Sequence, residues 1–296
     1  MTPTRDGLLL VDKPAGCSSH DVVLIARRAL GEKRIGHAGT LDPFATGLLV
    51  LLVGRATRLL AHIPGEPKIY DATFTFGAET DTEDPLGAVT RTAAEPTRRA
   101  LNEAIAALTG DIDQVPSAFS AKRVGGRRAY AVARDGGDVA LLPARVRVHA
   151  WDVIDVAGSD ERVTSCTVRI TCSGGTYVRA LARDVGRHAG SAAHVSALRR
   201  IAIGAFRVED ALSLEELKGE SVVVRPALDA LPHLPRQTIT NDEVVSVVRG
   251  GEIAARIDGE RVALINDANG VLVALAERRE DRWCPRVVMR PADSDG

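Results

Sequence analysis

Residues 69–76 read Ile-Tyr-Asp-Ala-Thr-Phe-Thr-Phe. Tyr70, Ala72, Phe74 and Phe76 alternate with Asp71, Thr73 and Thr75. That period of two belongs to a strand with one face on a core and the other toward water. The period returns in VTSCTVRITC (163–172), where Cys166, Val168, Ile170 and Cys172 share one parity. VRVHAWDVIDV (146–156) just before it is a further strand candidate. Half-buried strands of this kind predict an antiparallel sheet. Leu8–Val11 reads as a short strand stopped by Lys13-Pro14-Ala15-Gly16, and LLVLLV (48–53) as a buried strand or a helix start.

Helical patterns alternate with these strands. Ser18 stands three residues before Asp21, a capping-box spacing ahead of Val22, Ile25, Ala26 and Ala29. Ala100, Leu101, Ala104, Ile105 and Leu108 follow Pro96 with helical spacing and stop at Gly110. Val178, Leu181, Ala182 and Val185 give a third apolar face, while Arg179, Arg183 and Arg187 lie four apart on another. A helix is also predicted at 213–218. A linker near 233–239 precedes a small mixed β unit, with Thr240 and Glu243 at capping-box spacing and strands at 261–266, 271–276 and 286–290.

The 296 residues suit two domains, and 45% hydrophobic with 26% charged residues is globular composition. Cys17, Cys166, Cys172 and Cys284 form no CxxC pair and no zinc-finger spacing, and no signal-peptide pattern opens the chain. These features predict a reduced, cytoplasmic protein. No apolar run approaches the roughly 20 residues of a membrane span. The net charge of −1 conceals an uneven distribution. Segment 117–147 holds Lys122, Arg123, Arg127, Arg128, Arg134, Arg145 and Arg147 against Asp135 and Asp138, so it carries +5 and the remainder −6. Such a segment, with glycine pairs at 125–126 and 136–137, fits a clamp on phosphates.

GHAGTLDPFATG (36–47) reads as a rigid loop. Its Asp42 is either an Asx-turn cap on Leu41-Pro43 or a carboxylate held for nucleophilic or base chemistry. His37 in the same segment is a base, a nucleic-acid contact or a turn residue. Tyr70 is a core aromatic or a ring that stacks on a nucleobase. Arg179 follows the turn Ser173-Gly174-Gly175-Thr176-Tyr177 at a strand-to-helix junction, where a guanidinium can clamp a carboxylate; Asp42 is its nominated partner.

Six blocks in order, GLLLVDKPAGCSSHD (7–21), GHAGTLDPFATGLL (36–49), KIYDATFTFGAETDTEDPLG (68–87), SAFSAKRVGGRRAYAVARDG (117–136), SGGTYVRALARDVG (173–186) and HVSALRRIAIGAF (194–206), resemble the bacterial TruB family of tRNA pseudouridine synthases. The resemblance implies an α/β mixed (α+β) pseudouridine synthase fold with a central, largely antiparallel bent sheet. It implies a catalytic domain over 1–235 and a small C-terminal PUA-like β domain over 239–291. The expected substrate is the T-stem-loop of tRNA, whose uridine 55 is isomerised to pseudouridine. No cofactor and no metal are expected, and the chain is expected to act as a monomer.

Residue by residue, the resemblance makes Asp42 the catalytic aspartate, Tyr70 the ring stacked on the target base and Arg179 the partner of Asp42. It makes His37 part of the RNA-facing loop and Leu198 an apolar pocket wall, and it gives Lys13 with Pro14 a supporting role. The basic segment 119–147 matches the family's mobile insertion over the RNA, with Lys122, Arg123, Arg127 and Arg128 as RNA contacts. Arg123 stands where the family pattern has lysine, so charge is kept but geometry differs. Two rival readings remain on chemistry alone. A carboxylate that attacks a glycosidic bond also describes a hydrolase, although no second acid stands in a comparable rigid motif. The basic segment also suits a noncatalytic RNA-binding module.

Overall fold

The computed structural model describes residues 6–117, 141–219 and 222–289, and the backbone alone of 123–124 and 127–128. In chain order it contains β1 (Gly7–Lys13), α1 (Ser19–Leu30), β2 (Ile35–Ala38), β3 (Thr46–Val53), β4 (Lys68–Phe76), α2 (Arg98–Ala107), β5 (Gly110–Gln114), β6 (Ala144–Gly158), β7 (Val163–Cys172), α3 (Val178–His188) and β8 (Ala193–Ile203). It continues with α4 (Leu214–Lys218), β9 (Arg236–Ile239), α5 (Asn241–Val248), β10 (Ile253–Ala254), β11 (Arg261–Asn266), β12 (Leu272–Arg279) and β13 (Arg282–Val288), with shorter strands and 3-10 turns between. The described residues fall into two interleaved compact units. One takes the described parts of 1–43, 48–64 and 205–296, the other those of 44–47 and 65–204.

In the first unit, β1 neighbours β3, and β2 runs antiparallel to β3 along the register His37 to Leu51. The run LLVLLV is therefore strand, buried throughout, rather than a helix start. Helix α1 begins at the predicted capping box: the Asp21 N–H donates to Ser18 Oγ at 3.2 Å, and the Ser18 N–H donates to the Asp21 carboxylate at 2.8 Å. Its Val22, Val23 and Ala26 bury against Leu9, Val11, Leu49, Leu51 and Val53. Removing that apolar surface from water is what holds a helix of this length in place.

Near the C-terminus the same unit contains a five-stranded sheet in the order β9-β11-β12-β13-β10. Ile239, Val247, Val262, Leu264 and Val273 pack around Trp283, whose indole N–H donates to Gln237 Oε1 at 2.9 Å. The third predicted strand lies earlier than expected, at Arg282–Val288 instead of 286–290, because Trp283 supplies the inward-facing anchor.

In the second unit the sheet order is β8-β4-β7-β6-β5, antiparallel at every step. Thr46 and Gly47 at the start of β3 pair in parallel with Arg199 and Arg200 of β8. The parities are as expected. Tyr70, Ala72, Phe74 and Phe76 on β4 and Cys166, Val168, Ile170 and Cys172 on β7 are all buried. Trp151 of β6 meets Phe74 edge-on, with ring centroids 6.1 Å apart. Helix α3 lays Val178, Leu181, Ala182 and Val185 in the core. Gly47 is required where it stands: its φ is +103°, and a Cβ there would lie 2.3 Å from the Arg200 carbonyl oxygen. The expected mixed α/β architecture, with a largely antiparallel sheet and a separate C-terminal β sheet, is present.

Candidate active site

Asp42 sits between two residues whose backbones are tied down. Leu41 N–H donates to Ser19 Oγ at 2.8 Å, and that hydroxyl lies 3.1 Å from the Leu41 carbonyl. On the other side, the Pro43 carbonyl accepts from Gly16 N–H at 2.8 Å and from Lys13 Nζ at 3.4 Å. Lys13 is fully buried and also donates to the Cys17 carbonyl at 2.8 Å and the Pro14 carbonyl at 2.9 Å. A buried ammonium needs such acceptors, and this one uses them to join the end of β1 to the Asp42 loop. Asp42 itself is half-buried. The sequence DKPAGCSS thus acts through its backbone turn as much as through its side chains.

His37 is half-buried on β2 and not in the loop, a correction to the sequence reading. The irregular segment shrinks to 39–45, because Ile35–Ala38 pairs with the edge of the apolar β3.

Tyr70 lies at the middle of the second unit's sheet, opposite Ile170 on one side and Arg200 on the other. It is 7% exposed. Leu198 pairs with Ala72, which puts it on the Tyr70 face. Leu198 and Ala72 also line a cavity of about 260 Å³ whose other walls include Phe44 and, from the opposite strand parity, Asp71, Thr73 and Thr167. Two cations that the sequence reading overlooked share this neighbourhood. Arg200 is almost wholly buried, and Lys68 stands two residues before Tyr70 on the same strand parity. Burial, aided by the Arg200 charge, holds the Lys68 ammonium below its ordinary value.

Arg179 occupies the first turn of α3. The helix has no side-chain N-cap; instead the amide of buried Gln114 accepts from Tyr177 N–H at 2.9 Å and donates to the Tyr177 carbonyl at 3.1 Å. Arg179 and Arg183, spaced four apart, are not a solvated face: they are 5% and 9% exposed. Arg179 Nη1 donates to the Thr82 carbonyl at 2.7 Å and to Ser117 Oγ at 3.0 Å. Arg183 pairs with the buried Glu83 carboxylate through Nη1, with Val115 O at 2.8 Å through Nη2 and with Asp184 at 2.8 Å through Nε. Arg187 holds Glu79 in a two-point pair at 2.7 and 3.0 Å, and Arg91 adds a third bond to Glu79 at 2.7 Å.

The acid-rich stretch 79–84 therefore lies along α3 through this row of arginines. Within it, Thr82 Oγ1 donates to Asp84 at 2.6 Å, and Asp81 accepts from Thr82 N–H and Ala88 N–H. The periodicity of the arginines was readable, but their partners lie about 100 residues upstream, beyond any local pattern.

Of the predicted site residues, Lys13, His37 and Asp42 belong to the first unit, and Tyr70, Arg179 and Leu198 to the second. Lys122 and the side chains of Arg123, Arg127 and Arg128 lie outside the described residues. Among the described residues no three His, Cys, Asp or Glu side chains gather as metal ligands. None of their helices is long and apolar enough to cross a membrane.

Residues 27–178 match the model of the TruB family pseudouridylate synthase N-terminal domain, and residues 179–234 that of the tRNA pseudouridylate synthase B C-terminal domain. The chain belongs to the TruB family. It is 42% identical to tRNA pseudouridine synthase B of Mycobacteroides abscessus over 294 residues, covering 98% of each chain. It is 44% identical to the protein of that name from Mycobacterium sp. strain KMS, covering 97% of each. The fold is shared beyond the TruB sequences. A chain from the structure of an H/ACA RNP bound to a substrate RNA containing 2′-deoxyuridine superposes with a TM-score of 0.71 at 22% identity, covering 98% of this chain and 87% of that one. The archaeal box H/ACA sRNP Nop10-Cbf5 complex gives 0.70 at 22% identity, with 97% and 87% covered.

Proposed function

We propose that this chain is a tRNA pseudouridine synthase that converts uridine 55 of the T-loop to pseudouridine. The observation that carries the reading is the near full-length identity with tRNA pseudouridine synthases B, with the core Gly36-His37-x-Gly39-x-Leu41-Asp42-Pro43 intact. The reaction breaks the N1–C1′ bond and forms C5–C1′; C5 loses its proton and N1 gains one. No electrons or external groups are exchanged. The target base first leaves its stack, which is cheaper from a loop than from a duplex.

In this reading Asp42 is the nucleophile, attacking at C1′ or at C6 or assisting a glycal-type route, and the anchoring of Leu41 and Pro43 supports a carboxylate fixed in place. Tyr70 stacks on the uracil and Leu198 walls its pocket. Arg179 is the cation that the family pattern pairs with the aspartate, and His37 faces the RNA. The basic segment with Lys122, Arg123, Arg127 and Arg128 contacts phosphates of the T-stem-loop. Residues 1–235 make the catalytic domain and 239–291 a PUA-like RNA-binding domain. The chain works as a cytoplasmic monomer; its four cysteines, all free thiols, fit a reducing compartment.

Digestion of tRNA to nucleosides after incubation with the protein separates this reading from hydrolysis. Pseudouridine with no free uracil is the expected product, and free uracil overturns the assignment.

A further inference from the structure

The Arg179 guanidinium donates to Thr82 O and Ser117 Oγ. Each of these acceptors stands one or two residues from a group that Arg183 holds, namely Glu83 and Val115. Arg183 sits one helical turn beyond Arg179, so the two guanidiniums lie on the same face of α3 and grip the same two segments. Residues 82–83 come from the turn between the short strands Ala78–Thr80 and Val89–Thr92, and 115–117 directly follow β5.

Glu83 is an expensive residue to place there. It is 8% exposed, and its φ of +60° is a left-handed conformation that a non-glycine residue adopts at a cost. Burial pushes its carboxyl above the ordinary value even against the Arg183 and Arg179 charges. Its backbone is fixed as well: its carbonyl accepts from Val195 N–H at 3.1 Å and its N–H donates to Thr80 O at 3.1 Å. An apolar side chain would fill the same space without burying two charges, so stability alone does not account for the pair.

We propose that Glu83 and Arg183 are positioning residues for the isomerisation: their ion pair fixes Thr82 and Ser117, and these two acceptors aim the Arg179 guanidinium. This rests on Arg179 serving the reaction as proposed above. The consequence is a rate effect that travels through Arg179.

The test is a double-mutant cycle on the full chain, read by single-turnover release of tritium from C5 of uridine in saturating tRNA, with tRNA affinity and melting temperature measured alongside. Glu83→Gln is expected to slow turnover on the order of 10-fold with affinity changed less than about 2-fold, since a slight misplacement of a reacting group costs rate before it costs binding. In an Arg179→Lys background the same substitution is expected to cost less than about 2-fold, because the group it aims is already altered. An equal loss in both backgrounds, an unchanged rate, or a loss confined to affinity overturns the proposal. If Arg179→Lys itself turns over at the wild-type rate, the assignment of Arg179 fails first and the proposal falls with it. Should Glu83→Gln not fold, Arg183→Lys takes its place in the cycle under the same criteria, because it keeps the charge but cannot span Glu83 and Val115 together.

Discussion

Replacing Lys13 by Met isolates the part played by its ammonium, because Met keeps an unbranched apolar stem of similar length. The ammonium makes two short bonds, to Cys17 O at 2.8 Å and Pro14 O at 2.9 Å, and a longer one to Pro43 O at 3.4 Å. Pro43 O retains the Gly16 N–H, so the principal loss falls on the two short bonds. Hydrogen bonds to a charged donor contribute about 1.5–3 kcal/mol each, which gives about 3–6 kcal/mol. Relief of the buried charge offsets part of this, leaving a net destabilisation of about 3 kcal/mol. For a protein of this size that corresponds to a melting temperature lower by about 6–12 °C. Thermal and urea unfolding at neutral pH read the effect directly. Ser19→Ala loosens the other side of Asp42, so the two substitutions together should depart from additivity. A Lys13→Met protein that melts within about 1 °C of the parent refutes the idea that the buried ammonium ties the end of β1 to the Asp42 loop.

Other consequences follow from packing and charge. Burial works to raise the Glu79 carboxyl, but the Arg187 and Arg91 guanidiniums outweigh it and hold it below its ordinary value. Such a carboxylate stabilises the fold above the unfolded titration range and loses that contribution as pH falls through its depressed folded value, so the stability gap between wild type and Glu79→Gln should close as pH falls below the ordinary carboxylate range; a gap independent of pH contradicts the ion pair. Burial pushes the Cys166 and Cys172 thiols up to about 11, so at mildly alkaline pH a disulfide reagent should reach them only after unfolding. Their rapid modification in the folded protein would be inconsistent with the strand parity described. Gly47→Ala should destabilise by more than about 2 kcal/mol or prevent folding, whereas Gly65→Ala, with open space around it, should be nearly neutral; equal urea midpoints for the two contradict the close approach to Arg200.

Much of the architecture was legible because it follows local periodicity. Parity named the buried faces of β4 and β7, and the capping boxes at Ser18 and Thr240 marked helix starts correctly. What stayed illegible was non-local. Ile35–Ala38 is too short and mixed to show a strand period, and only pairing with β3 makes it one. The interleaving at 44–47 and 205 leaves no compositional trace, because it depends on which strands meet after folding. Asp42 stood out by its loop chemistry and Arg179 by its place at a helix start. Glu83 did not, since an acidic residue in a polar turn reads as solvated until a buried arginine is found beside it.

The proposed reaction is tested most directly by mapping pseudouridine, site by site, in tRNA lacking the modification, before and after treatment with wild-type protein and with Asp42→Asn. The wild type is expected to place pseudouridine at position 55, and Asp42→Asn to bind the same tRNA and form none. Full conversion by Asp42→Asn, or an unmodified position 55 after wild-type treatment, would contradict the central claim.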